Sequence, residues 1–86
     1  MGESSRGRRA VRTFVVFGFA STHDALDAEA LLGDVGIEVV PIPAPSTISA
    51  RCGIALRLLP ADEQRASGYL VNAGIEVGAR VEIEDV

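Results

Sequence analysis

The feature that most constrains this chain is a four-residue string that occurs twice. Gly36-Ile37-Glu38-Val39 returns as Gly74-Ile75-Glu76-Val77, and each copy follows an amphipathic helix pattern. Glycine at this place is typical of the left-handed residue that ends a helix. The branched residues after it favour a strand. The chain therefore repeats a helix–glycine–strand unit, and its 86 residues leave room for one domain that holds both copies.

A strand pattern also precedes each helix. Residues 13–19 are β-branched and aromatic, and apolar on both alternating faces, which predicts a central strand. Residues 53–59 predict a third strand that Pro60 ends. The second strand is predicted to begin at Ile37 and to be broken by Pro41, Pro43 and Pro45, which places it at a sheet edge.

The helices and the last strand complete the pattern. Ser21 or Thr22 is the expected N-cap of the first helix, which runs to about Asp34. The second helix opens at Asp62 and Glu63. Its predicted inner face consists of Ala66, Tyr69, Leu70 and Ala73. The fourth strand is predicted over 75–83, with its apolar residues on one face: Ile75, Val77, Ala79, Val81 and Ile83.

The order strand–helix–strand, taken twice with right-handed crossovers, predicts an α+β ferredoxin-like sandwich. Its two helices cover one face of a four-stranded antiparallel sheet. Residues 13–86 are expected to form this single domain. Phe14 and Val16 face away from the helices if Val15 and Phe17 face them, and such an apolar outer face is typical of a covered sheet. The opposite facing stays open at this point.

Charge is unevenly distributed. Residues 1–12 carry four arginines and one glutamate, whereas the remainder carries four arginines and eleven acids. Residues 1–12 are expected to form a disordered basic leader, with a short nucleic-acid-binding arm as the alternative. The acidic body, with 5% aromatic residues, argues against a nucleic-acid surface. The sequence contains no membrane-spanning apolar run and no secretory signal, which favours the cytoplasm.

Cys52 is the single cysteine, which excludes an internal disulfide and a cysteine-based zinc finger. His23 is the single histidine, so a transition-metal site would lack ligands, and no cofactor is expected. The predicted topology brings the end of the first strand beside the start of the third. One end of the sheet therefore gathers these candidate site residues: Ser21, Thr22, His23, Arg51, Cys52 and Gly53.

This arrangement bears on the thiol. A helix amino terminus and the adjacent Arg51 both lower the pKa of a cysteine, and the thiolate is the nucleophile. His23 adds a charge or a hydrogen bond, and Gly53 leaves room for a bound group. Ordinary roles explain the same residues: Cys52 as a small buried apolar residue, His23 and Arg51 as solvated side chains. Ser21 or Thr22 is then only a helix cap.

Two strings also carry a resemblance to a known family. Residues 21–26 (STHDAL) and residues 52–57 (CGIALR), with Pro43-Ala44-Pro45 before the second, resemble the small bacterial proteins of the DUF3343 family. Members are described as selenium/sulfur carrier protein-like. The resemblance covers about residues 14–83.

The resemblance implies a small cytoplasmic carrier without turnover of its own. Cys52 would hold sulfane sulfur or selenium as a persulfide or selenopersulfide, and donor or acceptor proteins would supply the chemistry. The alternative is an ACT-like regulatory domain that binds a small ligand, or a scaffold domain, with an inert cysteine. The sequence leaves the transferred element, the partner and the oligomeric state open.

Overall fold

The regular elements follow one another in the predicted order. The computed structural model describes residues 11–46 and 53–85. The strands are β1 (Arg12–Gly18), β2 (Val39–Pro43), β3 (Ile54–Leu58) and β4 (Ala79–Asp85). The helices are α1 (Thr22–Asp34) and α2 (Glu63–Asn72), and a 3-10 turn over Pro60–Asp62 leads into α2.

The four strands form one sheet in the order β2-β3-β1-β4, and every neighbouring pair is antiparallel. Both helices pack against the same face, so the predicted α+β ferredoxin-like fold is confirmed. β1 is central, as its apolar pattern predicts. Within residues 11–46 and 53–85, neither helix is long and apolar enough to cross a bilayer.

The main core lies between the sheet and the helices. Alternate residues of the central strands enter it because side chains of a strand point to opposite faces. The buried members are Val15, Phe17, Phe19, Ala25, Ala28, Leu32, Ile37, Leu56, Leu58, Ala66 and Leu70. The predicted inner face of α2 is only half correct, because Tyr69 and Ala73 are exposed while Ala66 and Leu70 are buried.

Both helices end in the same way. Gly36 and Gly74 have φ of +83° and +76°, which confirms the predicted left-handed positions. The N–H of Ile37 donates to the carbonyl of Leu32 at 2.9 Å, and that of Ile75 donates to Leu70 at 2.9 Å. These are the bonds of a Schellman motif. The repeated string is therefore a repeated helix end that returns the chain to the core.

The prediction that prolines break the second strand is wrong, although its place at the sheet edge is confirmed. Pro41 and Pro43 lie within β2 and pair with β3. The N–H of Ala44 donates to the carbonyl of Gly53 at 3.0 Å. Because backbone N–H groups alternate in direction along an antiparallel strand, those of even-numbered residues of β2 point toward β3. The N–H positions of odd-numbered residues point toward the open edge of the sheet. Both prolines thus occupy positions that need no N–H.

The predicted fourth strand is also wrong in its start and its facing. β4 begins at Ala79, after a segment over 75–78 that is not a strand. Ile75 and Val77 pack against the helix-side core, whereas Val81 and Ile83 pack on the opposite face of the sheet. The alternation of a strand does not continue through the irregular segment 75–78. The sequence pattern therefore predicts one common face for residues that lie on both faces of the sheet.

Candidate functional site

The predicted site lies at the end of the sheet where β1 finishes and β3 starts. Gly18 pairs with Ala55, so Gly53 and the amino end of α1 lie at the same end of the sheet. Three of the candidate residues, Ser21, Thr22 and His23, belong to the start of α1. The antiparallel pairing of β1 and β3 brings them to this end, as the sequence predicts.

Ser21 is the N-cap of α1. Its backbone is extended, with φ −145° and ψ 157°, and its Oγ accepts a hydrogen bond from the Asp24 N–H at 3.1 Å. The carbonyl of Ser21 accepts the first bond of the helix, from the N–H of Ala25 at 3.1 Å. Ser21 is therefore the cap, and Thr22 is the exposed first helical residue. The helix dipole places partial positive charge at this end of α1.

His23 points along the surface of α1. Its side chain is 83% exposed, and its Nε2 lies 3.1 Å from Oδ2 of Asp27, one turn further along. Asp27 is not among the predicted site residues, although its spacing of four residues from His23 on a helix could have indicated it. The histidine is thus turned toward the helix flank, and its predicted influence on the thiol stays a prediction.

Gly53 directly follows Cys52 in the sequence and directly precedes β3. Its φ is +73°, a region that side chains with a Cβ rarely adopt. A Cβ on Gly53 would meet no atom of the described residues within 4 Å, so backbone conformation is what requires glycine here. Its carbonyl accepts a hydrogen bond from the N–H of Ala44, which extends the pairing of β2 and β3 by one bond.

Arg51 and Cys52 lie outside the described residues. The structure therefore gives their immediate neighbour, Gly53, and the end of the sheet to which the loop returns. Their predicted proximity to the start of α1 stays a prediction. Among residues 11–46 and 53–85, no group of three or more histidine, cysteine, aspartate or glutamate side chains is placed to hold a metal ion.

A cluster of short ion-pair hydrogen bonds lies away from the candidate site, between β4 and α2. Arg80 donates two hydrogen bonds to the carboxylate of Glu63, at 2.7 and 2.8 Å, and a third to Glu82 at 2.9 Å. The hydrogen bonds from Arg80 lower the pKa of Glu63, and those to both acids raise the pKa of Arg80. This cluster ties the edge strand to the start of α2.

Comparison with known families agrees with the two sequence strings. The family described as "Putative Se/S carrier protein-like" matches residues 14–82. The match spans most of the chain, so this protein belongs to that family. It includes the first turn of α1 and the position of Cys52. No curated protein matches the chain. No solved structure matches it either.

Proposed function

We propose that this protein is a small cytoplasmic carrier that holds sulfane sulfur or selenium on Cys52 and passes it to a partner enzyme. The observation that supports the proposal most is the family match over residues 14–82, which contains the single cysteine. The carrier has no turnover of its own, because a donor protein supplies the sulfur or selenium atom and an acceptor protein uses it.

The proposed loading step is an exchange without net oxidation. The Cys52 thiolate attacks the terminal sulfur of a donor persulfide and forms a new S–S bond. The bond between that sulfur and the donor breaks, and the electron pair leaves with the donor thiolate. Cys52 then carries the outer sulfur until an acceptor nucleophile attacks it and Cys52 leaves as a thiolate. Selenium follows the same exchange.

The residues around Cys52 are proposed to favour the anion at each step. The positive end of the α1 dipole and the Arg51 guanidinium stabilise negative charge nearby. Ser21 fixes where the helix starts, the exposed Thr22 and His23 belong to its first turn, and His23 is proposed to tune access to the thiol or its protonation. Gly53 holds the turn that returns the loop to β3, with φ +73°. The acidic body is suited to a donor or acceptor protein with a basic docking surface.

The proposal is tested by measuring how fast iodoacetamide alkylates Cys52 of the native protein as pH rises from about 5 to 10. We expect an inflection below the value of about 8.5 for free cysteine, because the helix end and Arg51 favour the thiolate. Arg51→Glu is expected to slow alkylation at neutral pH. Arg65→Glu is the matched control, since Arg65 lies on α2 with its side chain 57% exposed, and it is expected to change nothing.

Two results would contradict the carrier. One is an inflection at or above that of free cysteine, and the other is a thiol that reacts only in denaturant. Either outcome favours the alternative, an ACT-like ligand-binding or scaffold domain with an inert cysteine.

A further inference from the structure

The face of the sheet opposite the helices is apolar. We call it the open face and define it by its outward side chains: Arg12, Phe14, Val16, Val40, Ile42, Ala55, Arg57, Ala79, Val81, Ile83 and Asp85. Val16 and Ala55 have no exposed area, and the partly buried Ile42, Ala44, Ala79, Val81 and Ile83 pack against them. The side chains around them are partly exposed, and no described helix packs on this face. In an antiparallel sheet with one covered face, the other face is usually polar.

The facing of β4 makes this composition informative. Val81 and Ile83 lie on the open face, and Arg80 and Glu82 lie on the side that the helices cover. A shift of one residue would reverse that facing. The structure instead holds the register with a 2.8 Å hydrogen bond from the Gly78 N–H to the Gly18 carbonyl. Because β4 places its apolar side chains on the open face, this face is expected to be buried when the protein is assembled with a partner.

The charge on the open face identifies the chemistry of its partner. Among these side chains the two cations, Arg57 and Arg12, lie over the Phe14 ring, with their guanidinium carbons 4.2 and 5.5 Å from the ring centre. Nη1 of Arg57 also lies 3.1 Å from Oδ2 of Asp85. The charges of the open face thus gather around Phe14 at one end of the sheet, where Asp85 offsets one of the two cations, and the rest of the face is uncharged. A strongly charged partner would gain nothing there, whereas a flat, apolar and neutral surface would fit.

The open face of a second copy has those properties. Two sheets with the same twist pack face to face at an angle of about 30°. Residues 1–10 are an unsuitable cover, because they consist of polar, basic and small residues apart from Met1. Four strands about 4.8 Å apart and up to seven residues long give a footprint of about 450 Å² at most. Two copies then bury about 900 Å², slightly less than a stable interface needs.

We propose that the protein forms a reversible homodimer through the open face of its sheet. The small area predicts a dissociable dimer with a micromolar dissociation constant. Cys52 is not among the side chains that define the open face, so this inference goes beyond the carrier proposal and is tested separately from it.

The experiment is sedimentation velocity on the full chain in a reductant, from about 1 μM to 1 mM, so that both sides of the expected dissociation constant are sampled. Wild type is expected to change from monomer to dimer over this range. Cys52→Ser is expected to behave identically, which separates this association from disulfide formation and from sulfur transfer. Protein that stays monomeric throughout would overturn the proposal.

Val81→Lys tests the face, and Glu84→Gln is its matched control. Both substitutions on β4 make the net charge more positive by one unit, but Val81 lies on the open face and Glu84 on the opposite face of the sheet. A lysine in the centre of an apolar interface is expected to raise the dissociation constant at least about tenfold. Glu84→Gln is expected to change it less than about twofold. Equal effects, or no effect of Val81→Lys, would overturn the proposal.

Circular dichroism checks that Val81→Lys is folded. If it is not, Val81→Thr replaces it, since it removes apolar surface without adding charge. Val81→Thr is then expected to weaken the dimer severalfold, and an unchanged dissociation constant would count against the open face.

Discussion

The two faces of the sheet are built from the same four strands but bury their apolar residues in different ways. On the helix side, Phe17 and Leu56 are 1% exposed because two helices cover them. On the open face, Val16 is equally buried, but among the described residues it is strand neighbours and Ala44, not helices, that pack around it. The difference shows that apolar alternation locates a strand's buried side without saying what buries it.

Removing one aromatic ring from each face gives the largest expected effects and tests this difference. Phe17→Ala is expected to lower the free energy of unfolding by about 3–5 kcal/mol, because it leaves a cavity beneath the helices. Phe14→Ala is expected to cost less than half as much in the monomer, since the Arg57 side chain and solvent can fill the space. Urea unfolding at low micromolar concentration measures both values. Equal losses would show that the two faces are packed alike.

The helix ends that complete the covered face provide the next test. Gly36→Val and Gly74→Val are each expected to cost more than about 1 kcal/mol, because a β-branched residue is strongly disfavoured at positive φ. Gly68→Ala is the control within α2. Gly68 is an exposed helical residue, and the change is expected to stabilise by about 1 kcal/mol. Urea midpoints of both valine variants at the wild-type value would contradict the role of the left-handed caps.

The polar side of β4 gives a smaller effect that depends on pH. The hydrogen bonds from Arg80 hold the pKa of Glu63 below its usual value of 4.5, so the native state binds that proton less readily than the unfolded chain. The ionised Glu63 therefore stabilises the folded state above about pH 4.5, and this stabilisation is lost as the pH falls through the lowered pKa of Glu63.

Glu63→Gln is therefore expected to lower the melting temperature at neutral pH and to narrow its difference from wild type in acid. Glu84→Gln, on the same side of the sheet, is the control. Melting curves at several pH values compare the three proteins, and a Glu63→Gln deficit that grows in acid would contradict the sign of this linkage.

Removing residues 1–10 is expected to have the smallest effect. The segment is polar and basic, and β1 begins at Arg12. The melting temperature is expected to stay within a few degrees of the full chain, since about 1 kcal/mol moves it by roughly 4–8 °C in a domain of this size. A larger fall, or a changed dimer dissociation constant, would show that the leader covers part of the open face.

Local signals in the sequence predicted most of the fold. Ser21, Gly36 and Gly74 mark helix ends through chemistry that depends only on nearby residues, and β1 was correctly placed at the centre by its continuous apolar pattern. The facing of β4 was not predictable in this way. It depends on the non-strand segment 75–78 and on a hydrogen bond to Gly18, which is distant in sequence.

The candidate site was predictable in part. The topology correctly placed Gly53 and the start of α1 at one end of the sheet. His23 is 83% exposed, as its ordinary role as a solvated side chain predicts, but its contact with Asp27 depends on a side-chain rotamer that the sequence does not specify. The prolines of β2 were misinterpreted because their effect depends on which way each missing N–H would point.

Sulfur loading tests the carrier most directly. The reduced protein is mixed with a cysteine desulfurase and cysteine, and intact mass spectrometry follows the chain over time. We predict the addition of one sulfur atom, mapped to Cys52, at a rate above that of glutathione, an unstructured thiol. Cys52→Ser is predicted to gain no mass. The same mass spectra show whether the desulfurase carries its own persulfide. If it does and the chain gains no sulfur, or if the chain is loaded no faster than glutathione, the carrier function is contradicted.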